Sequence, residues 1–285
     1  MKRAGQTSPD GAESMLQPPR SAQLPVIRPA WSGKFGVHVA STTRVGGCSR
    51  APYGSFNLGL HVEDDAEHVH ANRALLQPAL DLPGRPLWLR QVHGCEVLSA
   101  DSSASPDRSG QGGGAVDPST ASVVTADAAT TAGSDVIVVL TADCLPVVLA
   151  DADGARVSVV HAGWRGLAAG VIEAALAHHQ QRMPVRAWLG PAIGPAHFEV
   201  GEEVRDAFMQ HMPATAAAAF VAGKAEGKWF ADLYQLARDV LRLAGVDEVS
   251  GGNHCTFAEP GHFFSHRRDG PATGRMATLA WLEPR

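Results

Sequence analysis

The sequence predicts a layered, mixed α/β domain of α+β character, and three observations lead there. Short Val-, Ile- and Leu-rich runs cluster at 136–140, 146–150 and 156–160. Segments with a helical period fall between blocks of such runs rather than alternating strictly with them. The chain of 285 residues, 45% of them hydrophobic, carries enough apolar material for a sizeable core.

Taken in order, residues 34–40 read as a strand. Asp64-Asp65 can cap a helix that runs to about Gln77 and stops at Pro78, because proline lacks the N–H that a further turn needs. Leu87–Val97 reads as a strand interrupted near Gln91-Val92-His93-Gly94. The three apolar runs read as strands, the last two joined by the turn Asp151-Ala152-Asp153-Gly154. Leu167–Met183 reads as one helix, with His178-His179 solvated at its polar end. Ala187–Leu189 is a short strand ending in Gly190-Pro191. Val200, Val204 and Phe208 lie four apart, as on one helix face. Asp232–Leu243 is an amphipathic helix ended by Gly245, and Ala277–Leu282 is a closing strand. Residues 1–23 read as a disordered tail and 101–122, with its Gly-Gly-Gly, as a flexible surface loop. A single domain is expected over 24–285.

Composition narrows the function. The net charge of −5 lacks the basic excess of a general nucleic-acid binder, so none is expected as a partner. No stretch reaches the roughly 18 apolar residues of a membrane helix, and no membrane partner is expected. The opening MKRAGQTSPDGAESMLQPPR has no apolar segment of the kind a secretory signal needs. Cys48, Cys95, Cys144 and Cys255 form no C-x-x-C pair, which fits reduced thiols in a cytoplasmic protein.

The chemistry concentrates where apolar runs break. In VIVVLTADCLPVVLAD (136–151), an acid and a thiol interrupt core sequence, and burying either in charged form is costly unless something pairs with it. His93 in QVHG and His161 in HAGWRG stand at similar strand ends beside glycine. Two imidazoles and a thiolate suit zinc, and three protein ligands leave the open position of a catalytic site. Each residue also has a plainer reading. A strand-end histidine is commonly a hydrogen-bonded structural residue, and a free cysteine commonly a small buried hydrophobe.

The motifs STTRVGGCSRAPYGSFNLGLHVEDD (41–65), NR (72–73), LWLRQVHG (87–94), LTADCLPVVLAD (140–151), HAGWRGLAAGVIE (161–173), WLGPAIGPAHFEVGEEV (188–204), DLYQLAR (232–238) and FFSHRRDGPATGRMA (263–277) together resemble the YfiH/laccase-domain family. The resemblance runs from about residue 34 to residue 282. It implies an α/β/β/α sandwich related to a cysteine-hydrolase-like toxin fold. It also implies one zinc per chain on His93, Cys144 and His161, and a cytoplasmic enzyme that is a monomer or weak homodimer. Its activity would be zinc-dependent purine nucleoside phosphorolysis of adenosine, inosine and S-methyl-5'-thioadenosine, with adenosine deamination. Phosphate and purine nucleosides are then the small-molecule partners. The family has also been labelled a copper-dependent polyphenol oxidase and linked to peptidoglycan editing. One departure is His266, where the family commonly has tyrosine.

Within that frame, zinc lowers the pKa of bound water toward 7, as hydrolytic deamination at C6 of adenosine requires near neutral pH. Phosphorolysis needs cations for phosphate. Arg44, Arg165, Arg267 and Arg268 are the candidates, each with a structural salt bridge as its alternative. Asn57 can contact substrate or stabilise its own turn. Asp143 can orient a bound water or move a proton, or else support His93 or His161; with Cys144 and His161 it makes up the catalytic set. A cysteine hydrolase with Cys144 as nucleophile activated by His161 is a separate possibility. A three-copper cluster needs about eight histidines in H-x-H pairs, and the one such pair here is His68-x-His70.

Overall fold

The computed structural model describes residues 24–101, 124–179, 184–212 and 214–284. The tail 1–23, all of the 101–122 loop but Asp101, and residues 180–183 at the end of the expected 167–183 helix lie outside these.

Two sheets stack face to face. The five-stranded sheet has the order β1 (Val26–Ile27), β2 (Val37–Thr42), β14 (Met276–Leu282), β6 (Val136–Thr141), β3 (Pro86–Leu87). The six-stranded sheet runs β13 (Glu248–Gly251), β9 (Val185–Leu189), β7 (Leu145–Asp151), β8 (Val157–Ala162), β5 (Ala128–Thr131), β4 (Val97–Ser99). A small third sheet orders β10 (Glu199–Gly201), β12 (Lys228–Ala231) and β11 (Phe220–Ala222). The helices are α1 (Ala66–Leu80), α2 (Trp164–Ala168), α3 (Val171–Leu176), α4 (Glu202–His211), α5 (Leu233–Leu243) and α6 (His266–Asp269).

Alternation along each central strand builds the layers. On β6, Ile137 and Val139 meet Val148 and Ala150 of β7 and Val157 and Val159 of β8 in the core between the sheets. Val136, Val138 and Leu140 face the other way, onto Leu76 and Leu80 of α1. On β7, Val147 and Leu149 pack against α3, α4 and α5 through Ile172, Phe208 and Leu236. Both faces of both sheets are therefore covered, giving the α/β/β/α order. Burial on both faces is also why these strands read as continuous apolar runs.

Several elements depart from the sequence reading. The runs on either side of Thr141-Ala142-Asp143-Cys144, read simply as strands, part into different sheets, β6 in one and β7 in the other, while β7 and β8 form the expected hairpin. The helix α1 does not stop at Pro78 but continues to Leu80. Proline sits in its last turn, where buried Leu76 and Leu80 hold the helix to the sheet and the N–H groups of Asp81 and Leu82 both close on the Gln77 carbonyl. The 167–183 helix begins earlier, at Trp164, and is split by Gly170, whose φ of 94° ends α2 and starts α3. Val200 belongs to β10, opposite Trp229, although it shares a core with Val204 and Phe208 of α4. Residues 34–36 form a 3-10 turn ahead of β2.

His179 is buried rather than solvated. Its Nδ1 lies 2.6 Å from Asp151 Oδ1 and its Nε2 2.9 Å from Ser158 Oγ, which ties the end of α3 to β7 and β8. All three side chains are buried and Ser158 is fully enclosed, which suits a structural link rather than a hydrolytic triad. Removing one partner of such a pair strands the other. Asp151→Ala is expected to lower the unfolding free energy by about 3 kcal/mol, read from the denaturant midpoint, with metal binding unchanged.

Candidate metal centre

The three expected ligands come together from separate elements. His93 lies in the loop between β3 and β4, Cys144 immediately before β7, and His161 near the end of β8 opposite Pro146. Their donor atoms all lie within 4.8 Å of one another. Cys144 Sγ is 3.8 Å from His93 Nε2, and the two imidazole centroids are 4.8 Å apart.

Asp127, fully buried in the turn before β5, holds two of the three. Its carboxylate accepts hydrogen bonds from the backbone N–H of Val92 at 3.1 Å, His93 at 2.9 Å and Gly94 at 2.7 Å. These bonds stabilise the loop in which His93 adopts a left-handed φ of 62°. Asp127 Oδ1 also lies 2.8 Å from His161 Nδ1. A carboxylate only accepts, so Nδ1 carries a proton, and Nε2 is the nitrogen that faces the other candidate ligands and would bind a metal once its own proton is lost. Burial raises the Asp127 pKa, but hydrogen bonds from His161, Gly94 and Val92 outweigh it and hold the group below its ordinary value. The Gln91 side chain adds a further tie, donating to Leu140 O and accepting from Leu140 N at 2.8 Å each, as a neighbouring strand would.

Burial by itself would raise the Cys144 thiol. The charge on His161 and hydrogen bonds from His161 and His93 prevail and bring it down to about 6. His161 moves the opposite way: burial lowers it, while the Cys144 thiolate and Asp127 raise it to about 9. A site that stabilises a thiolate beside two imidazoles supplies the donor set of a soft-to-borderline divalent metal. The space between the donors fits as well. A Cβ added at Gly163 would come 3.0 Å from Cys144 Sγ, 3.0 Å from His93 Cδ2 and 3.6 Å from His161 Nε2, crowding all three residues.

The ligands border a cavity of about 760 Å³, a volume within the range of small-molecule sites. Asp143, with a left-handed φ of 88°, lines it, and so do Arg165, Arg267 and His266. The Asp143 carboxylate accepts from Thr256 Oγ1 at 2.6 Å and from the Arg267 N–H at 2.7 Å. It contacts neither imidazole; the supporting role belongs to Asp127. Arg165 lies with its guanidinium 4.4 Å over the Trp164 ring, and Arg267 donates to Glu199 O at 2.7 Å.

The remaining expected residues stand elsewhere. Arg44 donates to the carbonyls of Gly54 and Pro260 and stacks on Phe264, away from the cavity lining. Arg268 engages both oxygens of Asp269 and the carbonyls of Thr256, Phe257 and Phe263, so its donors point into the protein. Asn57 is fully buried and stabilises its turn through Gly59, Asp64 and the Arg275 N–H. Sequence reasoning missed Asp127 as well as His61, Arg73 and Arg275 of the cavity wall. The signal for Asp127 was present: Thr-Ala-Asp occurs at both 125–127 and 141–143.

A family model described as multi-copper polyphenol oxidoreductase laccase matches residues 38–283. The chain belongs to this family. Among relatives of this laccase-domain family, "Purine nucleoside phosphorylase YfiH" of Escherichia coli (strain K12) is 45% identical over 258 residues, covering 90% of this chain and 98% of the relative. "Purine nucleoside phosphorylase PA4543" of Pseudomonas aeruginosa is 45% identical over 261 residues, covering 90% and 98%. The crystal structure of Neisseria meningitidis protein NMB0706 superposes with a TM-score of 0.78 at 42% identity, covering 91% of this chain and 99% of that one. YlmD from Geobacillus stearothermophilus gives a TM-score of 0.76 at 33% identity, covering 87% and 92%. Laccase-domain membership implies a bound metal, and the His93–Cys144–His161 group is what this chain offers for it.

Three outcomes are expected. Gly163→Ala should weaken metal retention while the fold persists, because Cys144 and His93 must shift to admit the methyl group, and Asp127→Asn should weaken metal affinity roughly 10- to 100-fold, both read by metal titration and circular dichroism. In metal-free protein, iodoacetamide alkylation of Cys144 should rise as pH increases through about 6 and then level off, because the thiol has lost its proton above that point. A midpoint near 8.5, the value of an ordinary cysteine, would contradict the thiolate–imidazolium pairing.

Proposed function

We propose that this chain is a zinc-dependent purine nucleoside phosphorylase acting on adenosine, inosine and S-methyl-5'-thioadenosine, with adenosine deaminase activity at the same centre. The observation that carries the reading is the convergence of two imidazoles and a thiolate on the border of a cavity of about 760 Å³. The names of the relatives support the nucleoside and phosphate substrates. Three protein ligands with an open fourth position support a catalytic centre rather than a closed structural one. The proposed enzyme is a cytoplasmic monomer or weak homodimer with one catalytic domain over 24–285. No described helix is long and apolar enough to cross a membrane.

When bound, zinc supplies Lewis acidity and a water of lowered pKa. The chain's own residues do the rest. Asp127 holds His161 in one tautomer and His93 in its loop, so the donors need little rearrangement. Asp143, fixed by Thr256 and the Arg267 N–H, lines the cavity and holds or moves a proton there. Trp88 and Trp164 line the same space and add apolar wall to it for a purine.

Zinc is favoured over copper by donor count. Among the described residues, His93, Cys144 and His161 form the one group of three or more side chains able to hold a metal ion, far short of the histidines a multi-copper cluster needs. The pair His68-x-His70 lies on α1, outside the cavity lining. A second reading, a cysteine hydrolase, draws on the Cys144 thiol lowered to about 6.

Purified protein should contain about one zinc per chain, lost in Cys144→Ala, when assayed by elemental analysis. Incubated with adenosine, it should release adenine only when phosphate is present and inosine without it. Zinc-loaded protein that turns over no nucleoside would refute the proposal, and several coppers per chain would overturn the metal assignment. Alkylation of Cys144 undiminished by zinc would favour the nucleophile.

A further inference from the structure

Two guanidinium groups of the cavity wall, Arg73 and Arg275, have no part in the chemistry above. Both line the cavity together with His61 and the three metal ligands. Arg73 reaches from α1 and lies 3.6 Å over the Trp88 ring, donating through Nε to Leu58 O at 2.9 Å. Arg275 donates through Nη1 to the carbonyls of Thr273 at 2.8 Å and Gly274 at 3.1 Å. Among the described residues, neither pairs with a carboxylate, both terminal nitrogens of Arg73 are without a protein acceptor, and so are Nε and Nη2 of Arg275. Arg268 is the contrast, with Asp269 and three carbonyls engaging its whole fork.

One short segment aims both groups. Leu58 donates its N–H to Arg275 O at 3.1 Å and accepts from Arg73 through its own carbonyl. Asn57 Oδ1 accepts the Arg275 N–H at 2.9 Å. Gly59 leaves room for the Arg275 side chain: a Cβ there would stand 2.8 Å from Arg275 Cγ and 3.3 Å from His61 Cε1. The buried Asn-Leu-Gly turn thus sets the wall that carries His61, Arg73 and Arg275. The groups also sense one another. Burial lowers the His61 pKa first, and the charges of Arg275 and Arg73 lower it further. Burial brings Arg73 itself down to about 10. Arg275 lies within electrostatic reach of Cys144 and Asp143, so this wall adjoins the metal centre.

Half-buried cations without a carboxylate are costly, and an anion that enters the cavity offsets that cost. A planar fork with free N–H groups matches the oxygens of a tetrahedral oxyanion. We propose that Arg73 and Arg275, flanked by His61, form the inorganic-phosphate subsite of this cavity, a role that the fully engaged fork of Arg268 does not share. The assignment rests on the phosphorylase reading for its chemistry. In that reaction an oxygen of hydrogenphosphate bonds to C1′ as the C1′–N9 bond breaks. The bond's electron pair leaves with the purine, and the proton of the hydrogenphosphate ends on the purine.

The test is phosphate binding by the full chain in zinc-loaded form, by calorimetry without nucleoside, together with KM values for phosphate and nucleoside. Arg275→Gln and Arg73→Gln should each weaken phosphate binding and raise the phosphate KM roughly 10- to 100-fold, the range for a lost charged hydrogen bond. The nucleoside KM should stay within about threefold of wild type. Arg73→Lys keeps a cation over Trp88 and should lie between Arg73→Gln and wild type, with an unchanged melting temperature. Glutamine variants that keep wild-type phosphate affinity and KM overturn the subsite and leave the phosphorylase reading standing. Phosphate binding lost in the variants of a protein that cleaves no nucleoside keeps the subsite and removes that reading. Wild-type protein that binds no phosphate overturns the subsite. So does AMP binding more tightly than adenosine with the difference erased in Arg275→Gln, since the anion would then be the substrate's own phosphate.

Discussion

The site depends on one buried carboxylate. Asp127 receives three consecutive backbone N–H groups from the loop that carries His93, and it receives the ring N–H of His161. A buried charge needs a full set of donors, and this loop and this imidazole are the donors. The same bonds fix the backbone of one ligand and the tautomer of another. Cys144 then completes a centre whose other two members are already oriented, and its thiolate is stabilised by the imidazoles beside it.

The joint between the two sheets supplies the third ligand. The chain leaves the five-stranded sheet at Thr141 and enters the six-stranded sheet at Leu145, turning through Asp143 at a φ of 88°. A polar, strained turn is tolerable there because Thr256, Arg267 and Ile193 satisfy the Asp143 side chain and carbonyl. The acid and thiol that break the apolar run are therefore at the corner where the run changes sheets. Gly163 keeps the space between the ligands open, and the Asn57–Gly59 turn does similar work for the opposite wall by seating Arg275.

Much of this was legible in the chain. Strands buried on both faces are apolar throughout, so β6, β7, β8 and β14 stood out, and the capped, amphipathic α5 did too. The candidate ligands His93, Cys144 and His161 were marked by polar interruption of apolar sequence and by motif. The arginines were not legible. Arg44, Arg165, Arg267, Arg268, Arg73 and Arg275 all stand in matched or adjoining motifs, and a guanidinium serves equally as a clamp for carbonyls or as a ligand for anions. Which role each takes depends on the acceptors within reach. Arg268 has a carboxylate and three carbonyls at hand, whereas Arg73 has one carbonyl and an aromatic face.

By itself the sequence determined the fold class, the strands with strong apolar character and the residues able to hold a metal, because hydrophobic period and ligand chemistry are local properties. Only the tertiary structure decided that β6 and β7 part into different sheets, that Asp127 rather than Asp143 supports the histidines, and that Arg73 and Arg275 face the cavity. Those outcomes depend on contacts between segments remote in the chain: Asp127 lies 34 residues from both His93 and His161, and the turn at Asn57 meets Arg275 across 218 residues. Pairing over such separations is set by which buried charges and donors find each other on folding, and no local pattern encodes it.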